Sequence, residues 1–440
     1  MFCIKINLKW NFILFLAQTN KGKMLTTKTS TEGSTSKKVA KFLIMTLLLG
    51  ICVVIEHFTR DLSKKYTLLW FGGKGKERCD NLAHFEFYAL GGRYILLFLI
   101  IAYVNVPAAL SYIFLDCFGV FINGILRMFY FDDRPFWSNP EYTPCFCSVD
   151  YGNPSTTGIY AFLIFASFYR SFTYNSKNKI FNSIFFVVCA VNIVYIFVIR
   201  MLQNIHYLHQ LLFGLVIGYY IYFIYYDILE IDFDNKKQFI AIMKRWKEIF
   251  VATVLIWSID TYIHIKLNFA FPEESIIKSI EINCPIVPIF AFDHESYSKS
   301  VRVFEFMGCF LGTYAEYVFV FKYDDDKFLR YDVESEKDMY TKTNWMLSLV
   351  RFSTFFFIQK YILSNLILSK SNFNEFSKLP LIHSLVFQQS IPLMIHGFAV
   401  FFFIKVFNKC LFLTNESVWD PQEKNELVEE KEKMLELPQV

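Results

Sequence analysis

The sequence predicts an all-α, polytopic membrane protein of about ten transmembrane helices. Three observations carry that prediction. Apolar residues make up 54% of the chain, with 52 Phe, and the mean hydropathy is +0.34. Charged residues are only 19%, against roughly a quarter in soluble domains. Ten apolar runs approach the roughly 20 residues that a bilayer span needs. They lie at 40–58, 91–104, 108–131, 158–173, 181–199, 207–226, 248–265, 301–321, 345–368 and 384–406.

Taken in order, residues 1–39 read as a cytosolic, disordered N-terminus. Polar and small residues dominate 25–39, and such a segment cannot bury enough apolar surface to fold. Within it, "NFILFLA" after Lys5 and Lys9 resembles a weak signal segment. An interfacial segment or a translation start at Met24 explains it equally well. Residues 40–226 form the membrane core and 227–406 add four spans. Residues 407–440 make a charged cytosolic tail. Asn105-Val106-Pro107 separates the second and third spans, where Pro breaks a helix. An even number of spans puts both termini on one side. Lys and Arg are roughly twice as frequent in the segments that share that side, which makes it the cytosol.

Cysteines are too dilute for a disulfide scaffold. Cys145 and Cys147 share one loop, and a lumenal position would allow them to pair with each other. A net charge of +4 gives no reason to expect nucleic acid. Charges within later spans, namely Asp260, Glu305, Glu316, Arg351 and Lys360, are expected to pair or line a cavity, with Glu305 and Arg351 as one pair.

Polar residues gather in three islands at span ends. The first, "RMFYFDDRP", sets Arg127 and Arg134 seven apart. The second, "NPSTTG", places Ser155, Thr156 and Thr157 where a helix begins. The third, "RMLQNIHYLHQ", carries Arg200, His206, His209 and Gln210. Alternating spans put all three on one side, the lumenal side of this topology. Together they make an oxyanion site. Arginine forks suit phosphate oxygens, and a hydroxyl with free amides at a helix start adds donors. His206 supplies a nucleophile or base near neutral pH. No metal and no cofactor is expected, because the arginines can neutralise the charge.

The order Arg-x6-Arg-Pro, Pro-Ser-x-x, Arg-x5-His resembles the three-part signature of the type-2 phosphatidic acid phosphatase superfamily. That signature reads Lys-x6-Arg-Pro, Pro-Ser-Gly-His and Ser-Arg-x5-His-x3-Asp. Within it the chain is most similar to sphingosine-1-phosphate phosphatases, which share Pro-Ser-Thr, a similar length and extra spans. One of those spans holds a Leu-Asp-Thr-aromatic run like Ile259-Asp260-Thr261-Tyr262. The resemblance implies that Arg127, Arg134, Ser155, Thr156 and Arg200 bind phosphate and that His206 attacks phosphorus. It also implies a lipid phosphate or phospholipid as ligand and an endomembrane location, the endoplasmic reticulum.

Two departures weaken the implied activity. Thr157 stands where the family has the His that protonates the leaving group, a loss of roughly 10²–10⁴ in rate. Gln210 stands where the family has the Asp that orients the nucleophile. The expected function is therefore a lipid-phosphate phosphatase relative, a phosphoric monoester hydrolase by type, that is weak or inactive and repairable by Thr157→His with Gln210→Asp. Two other readings stay open: an active phosphatase working through His206, and a transporter or structural subunit of a membrane complex. His209, on nearly the same helix face as His206, is a candidate proton shuttle. Asp132 and Asp133, beside Arg134, either weaken the field for an anionic substrate or pair with the arginines and close the pocket.

Overall fold

The structure, a computed structural model, describes residues 31–72, 79, 82, 106–148, 150–173, 178–229, 231, 236–267, 274–284, 302–319, 391, 393–395, 397 and 398. Ten helices are used below: α1 (Thr31–Phe71), α2 (Val106–Tyr130), the single turn α3 (Pro135–Ser138), α4 (Thr156–Thr173), α5 (Lys179–Leu202), α6 (Leu208–Phe223), α7 (Lys236–Met243), α8 (Trp246–Leu267), α9 (Glu274–Asn283) and α10 (Arg302–Phe319). One π-helical turn, Ile224–Ile228, extends α6. No strand occurs among the described residues.

Among the described residues, four helices are long and apolar enough to cross a membrane: Ser36–Phe71, Leu110–Arg127, Lys179–Leu202 and Leu208–Ile228. They overlap the expected runs at 40–58, 108–131, 181–199 and 207–226. The described residues of the runs at 158–173, 248–265 and 301–321 form α4, α8 and α10. Those at 91–104 and 345–368 lie outside the described residues, as does most of 384–406, so the expected pair Glu305–Arg351 does too.

One boundary differs from the sequence reading. Helix α1 begins at Thr31, inside the segment expected to be disordered, and continues to Phe71, past the end of its apolar run. Its last turns therefore carry Arg60, Ser63, Lys64 and Thr67, which the sequence assigned to a loop. Apolar α1 and α5 residues such as Phe58 (80% exposed) and Ile180 (73%) point away from the protein, as lipid-facing side chains do. Asn178 caps α5 by accepting from Ile180 N and Phe181 N, both at 3.1 Å.

The core that positions the site is the packing of α2, α4 and α6. Leu115, Ile159, Leu163, Phe213, Ile217, Ile221 and Tyr225 interlock there. Gly158 and Gly214 let α4 and α6 meet backbone to backbone. A Cβ on either would lie 3.1 Å from the other's Cα. Gly214→Val is therefore expected to lower stability by about 1–3 kcal/mol through overpacking, read as a lower melting temperature in detergent. An unchanged melting temperature would show that these two backbones do not touch. Helix α1 runs antiparallel along α6: Thr46 Oγ1 meets Tyr220 Oη at 2.9 Å, while Leu208 N donates to Thr67 Oγ1 at 3.2 Å.

The segment between α2 and α4 folds over one end of this bundle. Helix α9 covers it: Ser279 Oγ donates to Phe136 O at 2.8 Å, and Phe136, Trp137, Tyr151, Ile280 and Cys284 form a small apolar cluster. Two disulfides tie the segment down, Cys79–Cys145 and Cys147–Cys284. Cys145 and Cys147 therefore do not pair with each other, the alternative that a shared loop left open. They stand two residues apart, yet each bonds a partner far along the chain.

Candidate active site

Arg127 lies in the last turn of α2, Arg200 in the last turn of α5, and Ser155 just before α4. His206 sits in the tight connection from α5 to α6. Asn204 makes that connection in the left-handed region at φ 57°, which Asn tolerates better than most residues. Helix ends at one end of the bundle thus bring together three polar islands that are far apart in sequence. Arg127 is 1% exposed, Arg134 2%, Ser155 0%, Arg200 4% and His206 3%.

Backbone carbonyls aim the two guanidinium groups. Arg127 Nε donates to Pro154 O at 3.0 Å, next to Ser155. Arg134 Nε donates to Asp150 O at 2.6 Å, and its Nη1 to Ile205 O at 3.1 Å, next to His206. Arg200 Nη1 donates to Gln203 Oε1 at 2.9 Å. Ser155 N donates to Gln210 O at 3.0 Å, which stitches the second island to the third. Its hydroxyl oxygen faces Gly158 N across the first turn of α4 at 3.4 Å. Thr157 is half-buried at the second position of α4. Thr156 donates its hydroxyl to Asn123 Oδ1 at 2.7 Å.

The fork of the arginines holds a carboxylate that the sequence reading did not single out. Asp150 is fully buried and bridges Arg127 Nη1 and Arg134 Nη2, one oxygen to each. Ser148 Oγ adds a donor to Asp150 Oδ1 at 2.6 Å. Asp132, expected to close the pocket on the arginines, instead faces α1 and α6. Its Oδ1 pairs with Lys64 Nζ at 2.8 Å, and its Oδ2 accepts from His209 Nε2 at 2.7 Å. Burial opposes its ionisation. The bond to His209 and the charges of His209 and Lys64 nevertheless hold its carboxyl well below the usual carboxylate range.

His206 Nδ1 lies 3.2 Å from Gln210 Oε1. Burial, then the charges of Arg134, Arg127 and Arg200, push its imidazole well below the ordinary histidine value. The ring is therefore neutral at physiological pH, the form in which a nitrogen lone pair can attack. His209 is turned away: Ser63 Oγ meets its Nδ1 at 3.1 Å and its backbone N at 2.9 Å, while Nε2 points at Asp132. It is no direct proton relay to the arginine fork.

Several residues around the site escaped the sequence reading. Asn123 Nδ2 donates to Pro154 O at 2.7 Å, supporting the same carbonyl as Arg127. Glu56 accepts from Asn153 Nδ2 at 2.9 Å and pairs with Arg60 at 3.1 Å. Glu56 had a signal, since it is a lone acid inside an apolar run. Asp150 had none that local spacing could supply. Among the described residues, no group of three or more His, Cys, Asp or Glu could hold a metal ion.

A family model of the PAP2 superfamily matches residues 108–232, the stretch from α2 through α6 that holds all three islands. No curated protein and no solved structure matches the chain.

Proposed function

We propose that the protein is a lipid-phosphate phosphatase relative whose oxyanion pocket is retained but dormant, with weak or no turnover. The observation that carries this reading is the Asp150 carboxylate between Arg127 and Arg134. The fork is arranged to hold an oxyanion, and an internal one holds it. A carboxylate offers the same charge-assisted acceptor geometry as two phosphate oxygens. Beside the fork stands His206, neutral and buried, with Ser155 at the helix start opposite.

In the reaction this arrangement would support, His206 Nε2 attacks phosphorus and forms an N–P bond. The P–O bond to the lipid alcohol breaks, and water later takes the phosphoryl group. The leaving alkoxide needs a proton. The Thr157 hydroxyl is too weak an acid to supply it at neutral pH, and this is where turnover stalls. The resemblance to sphingosine-1-phosphate phosphatases makes sphingoid-base phosphates the first substrates to try, with phosphatidate beside them. Cys145 and Cys147, disulfide-bonded to Cys79 and Cys284, favour an oxidising side for the pocket. That side is the lumen of the endoplasmic reticulum in the topology proposed here.

The test is phosphate release by purified protein in lipid nanodiscs. Wild type is expected to be at least about a hundredfold slower than an intact relative, the cost of one general acid. His206→Ala and Arg134→Ala should remove whatever remains. Fast release that vanishes in His206→Ala would replace the dormant reading with an active phosphatase. Release that is indifferent to both variants would remove the phosphatase reading altogether.

A further inference from the structure

The geometry points to Asp132 as a positioning residue that acts on His206 through the side-chain amide of Gln210. Asp132 would thereby restore, one residue removed, the charge that the substitution at 210 took away. This inference rests on the phosphatase-like reading of His206, and it goes beyond that reading by naming what holds the nucleophile ready.

Gln210 is completely buried and uses both ends of its amide. Its Nε2 donates to Asp132 Oδ2 at 2.8 Å and to Asp133 O at 2.7 Å. Its Oε1 accepts from Tyr207 N at 3.2 Å and faces His206 Nδ1 at 3.2 Å. Amide orientation is normally a matter of choice. Here two backbone groups settle it. The carbonyl of Asp133 can only accept, so the atom facing it is nitrogen. The N–H of Tyr207 can only donate, so the atom facing it is oxygen. With Oε1 fixed as an acceptor, His206 Nδ1 must carry the hydrogen. The lone pair of neutral His206 then sits on Nε2, the nitrogen free to attack.

Gly152 leaves the space that the amide fills. A Cβ there would run into Gln210 Nε2 and lie 2.6 Å from its Oε1, so a side chain at 152 would displace the amide. Gly152 N also donates to Asp132 O at 2.8 Å, which locks this loop to the same aspartate.

The carboxylate does more than occupy space. An amide whose N–H donates to an anion becomes a better acceptor at its oxygen, because hydrogen bonds in a chain polarise one another. Asp132 is itself held by Lys64 and His209, so its own orientation is over-determined. The resulting chain runs from Asp132 through Gln210 to His206. The Asp-to-Gln change at 210 therefore keeps the ring's orientation and moves the negative charge back by one side chain.

The proposal is tested on full-length protein labelled with ¹⁵N-histidine in nanodiscs, with His206 assigned by its loss in His206→Gln. The expected spectrum shows a protonated Nδ1 with a hydrogen-bonded proton and a bare Nε2. In Asp132→Asn that Nδ1 proton should move upfield. In Asp132→Asn with Gln210→Glu, which carries the charge to the adjacent position, it should move back. A bare Nδ1 in the wild type overturns the relay, and this reading needs no variant to fold. An Nδ1 proton indifferent to Asp132→Asn overturns the role of Asp132. Gln210→Met supplies a second route, because it deletes the link and spares the pairs of Asp132 with Lys64 and His209. After Gln210→Met, Asp132→Asn should have no further effect on His206. An effect of the same size as in the wild type overturns the relay. Phosphate release is read in parallel, in a Thr157→His background if the wild type is too slow. There Asp132→Asn should cost roughly 10- to 100-fold, the size of loss seen when a hydrogen-bonded partner behind a metal-ligating histidine is removed. Absence of His206-dependent release in every variant would defeat the phosphatase reading, while the spectra alone decide the relay.

Discussion

Asp150→Ala is expected to lower the unfolding free energy by about 3–5 kcal/mol, because it strands buried charge rather than removing a surface contact. Arg127 and Arg134 are both at most 2% exposed and share this one carboxylate. The informative part is the rescue. With the internal anion gone, inorganic phosphate or vanadate should enter the fork and stabilise the variant. At a hundred times its Kd such a ligand returns about 2.7 kcal/mol by mass action. Wild type should respond far less, since Asp150 occupies the fork already. Melting curves of both proteins across a phosphate titration decide it. If the variant is as stable as wild type, the bridging role of Asp150 is wrong. If both proteins respond to phosphate equally, the anion binds elsewhere.

Thr157→His is expected to raise His206-dependent phosphate release by roughly 10²–10⁴, the range that one general acid contributes. Position 157 is the second residue of α4, two residues past Ser155 and three past Pro154, whose carbonyl accepts from Arg127. The signature by itself recommends pairing this change with Gln210→Asp. The structure argues against the second change. Gln210 gives its NH₂ to Asp132 and to the carbonyl of Asp133. An Asp at 210 would lose both donors and set two carboxylates against each other in a buried place. Gln210→Asp should therefore lower stability and fail to add to the gain from Thr157→His. Kinetics of the two single variants and the double variant separate these outcomes. A double variant faster than Thr157→His would show that charge at 210 matters more than the bond to Asp132, and no gain from Thr157→His would mean that 157 cannot reach the leaving group.

Much of the candidate site was legible because its residues sit at the ends of apolar runs. Run lengths and the alternation of spans fix which ends share a side, so Arg127, Arg134, Ser155, Arg200 and His206 could be grouped before any contact was known. Glu56 was legible in principle, as an acid in an otherwise apolar run. The end of α1 was not. Lys64, Ser63 and Thr67 follow the last apolar residue of the expected span and read as loop, yet the helix continues because packing against α6 stabilises its extra turns. That continuation brings Lys64 to Asp132 and Ser63 to His209.

By itself the sequence determined the apolar helices, the three polar islands and the chemistry that those islands could share, because hydrophobic periodicity and span ends are local properties. Only the tertiary structure decided which carboxylate meets which cation. Asp132 and Asp133 stand beside Arg134 in the chain, and adjacency suggested that they would close the pocket. Neighbouring side chains at the end of a helix point in different directions, however, so adjacency says little about pairing. Asp132 turned to Lys64, His209 and Gln210, and Asp150, 16 residues beyond Arg134, took the arginines. The same reason separates Cys145 from Cys147. A buried charge or a thiol bonds the partner that packing presents at the right distance and angle, and that partner was never the nearest candidate in the chain.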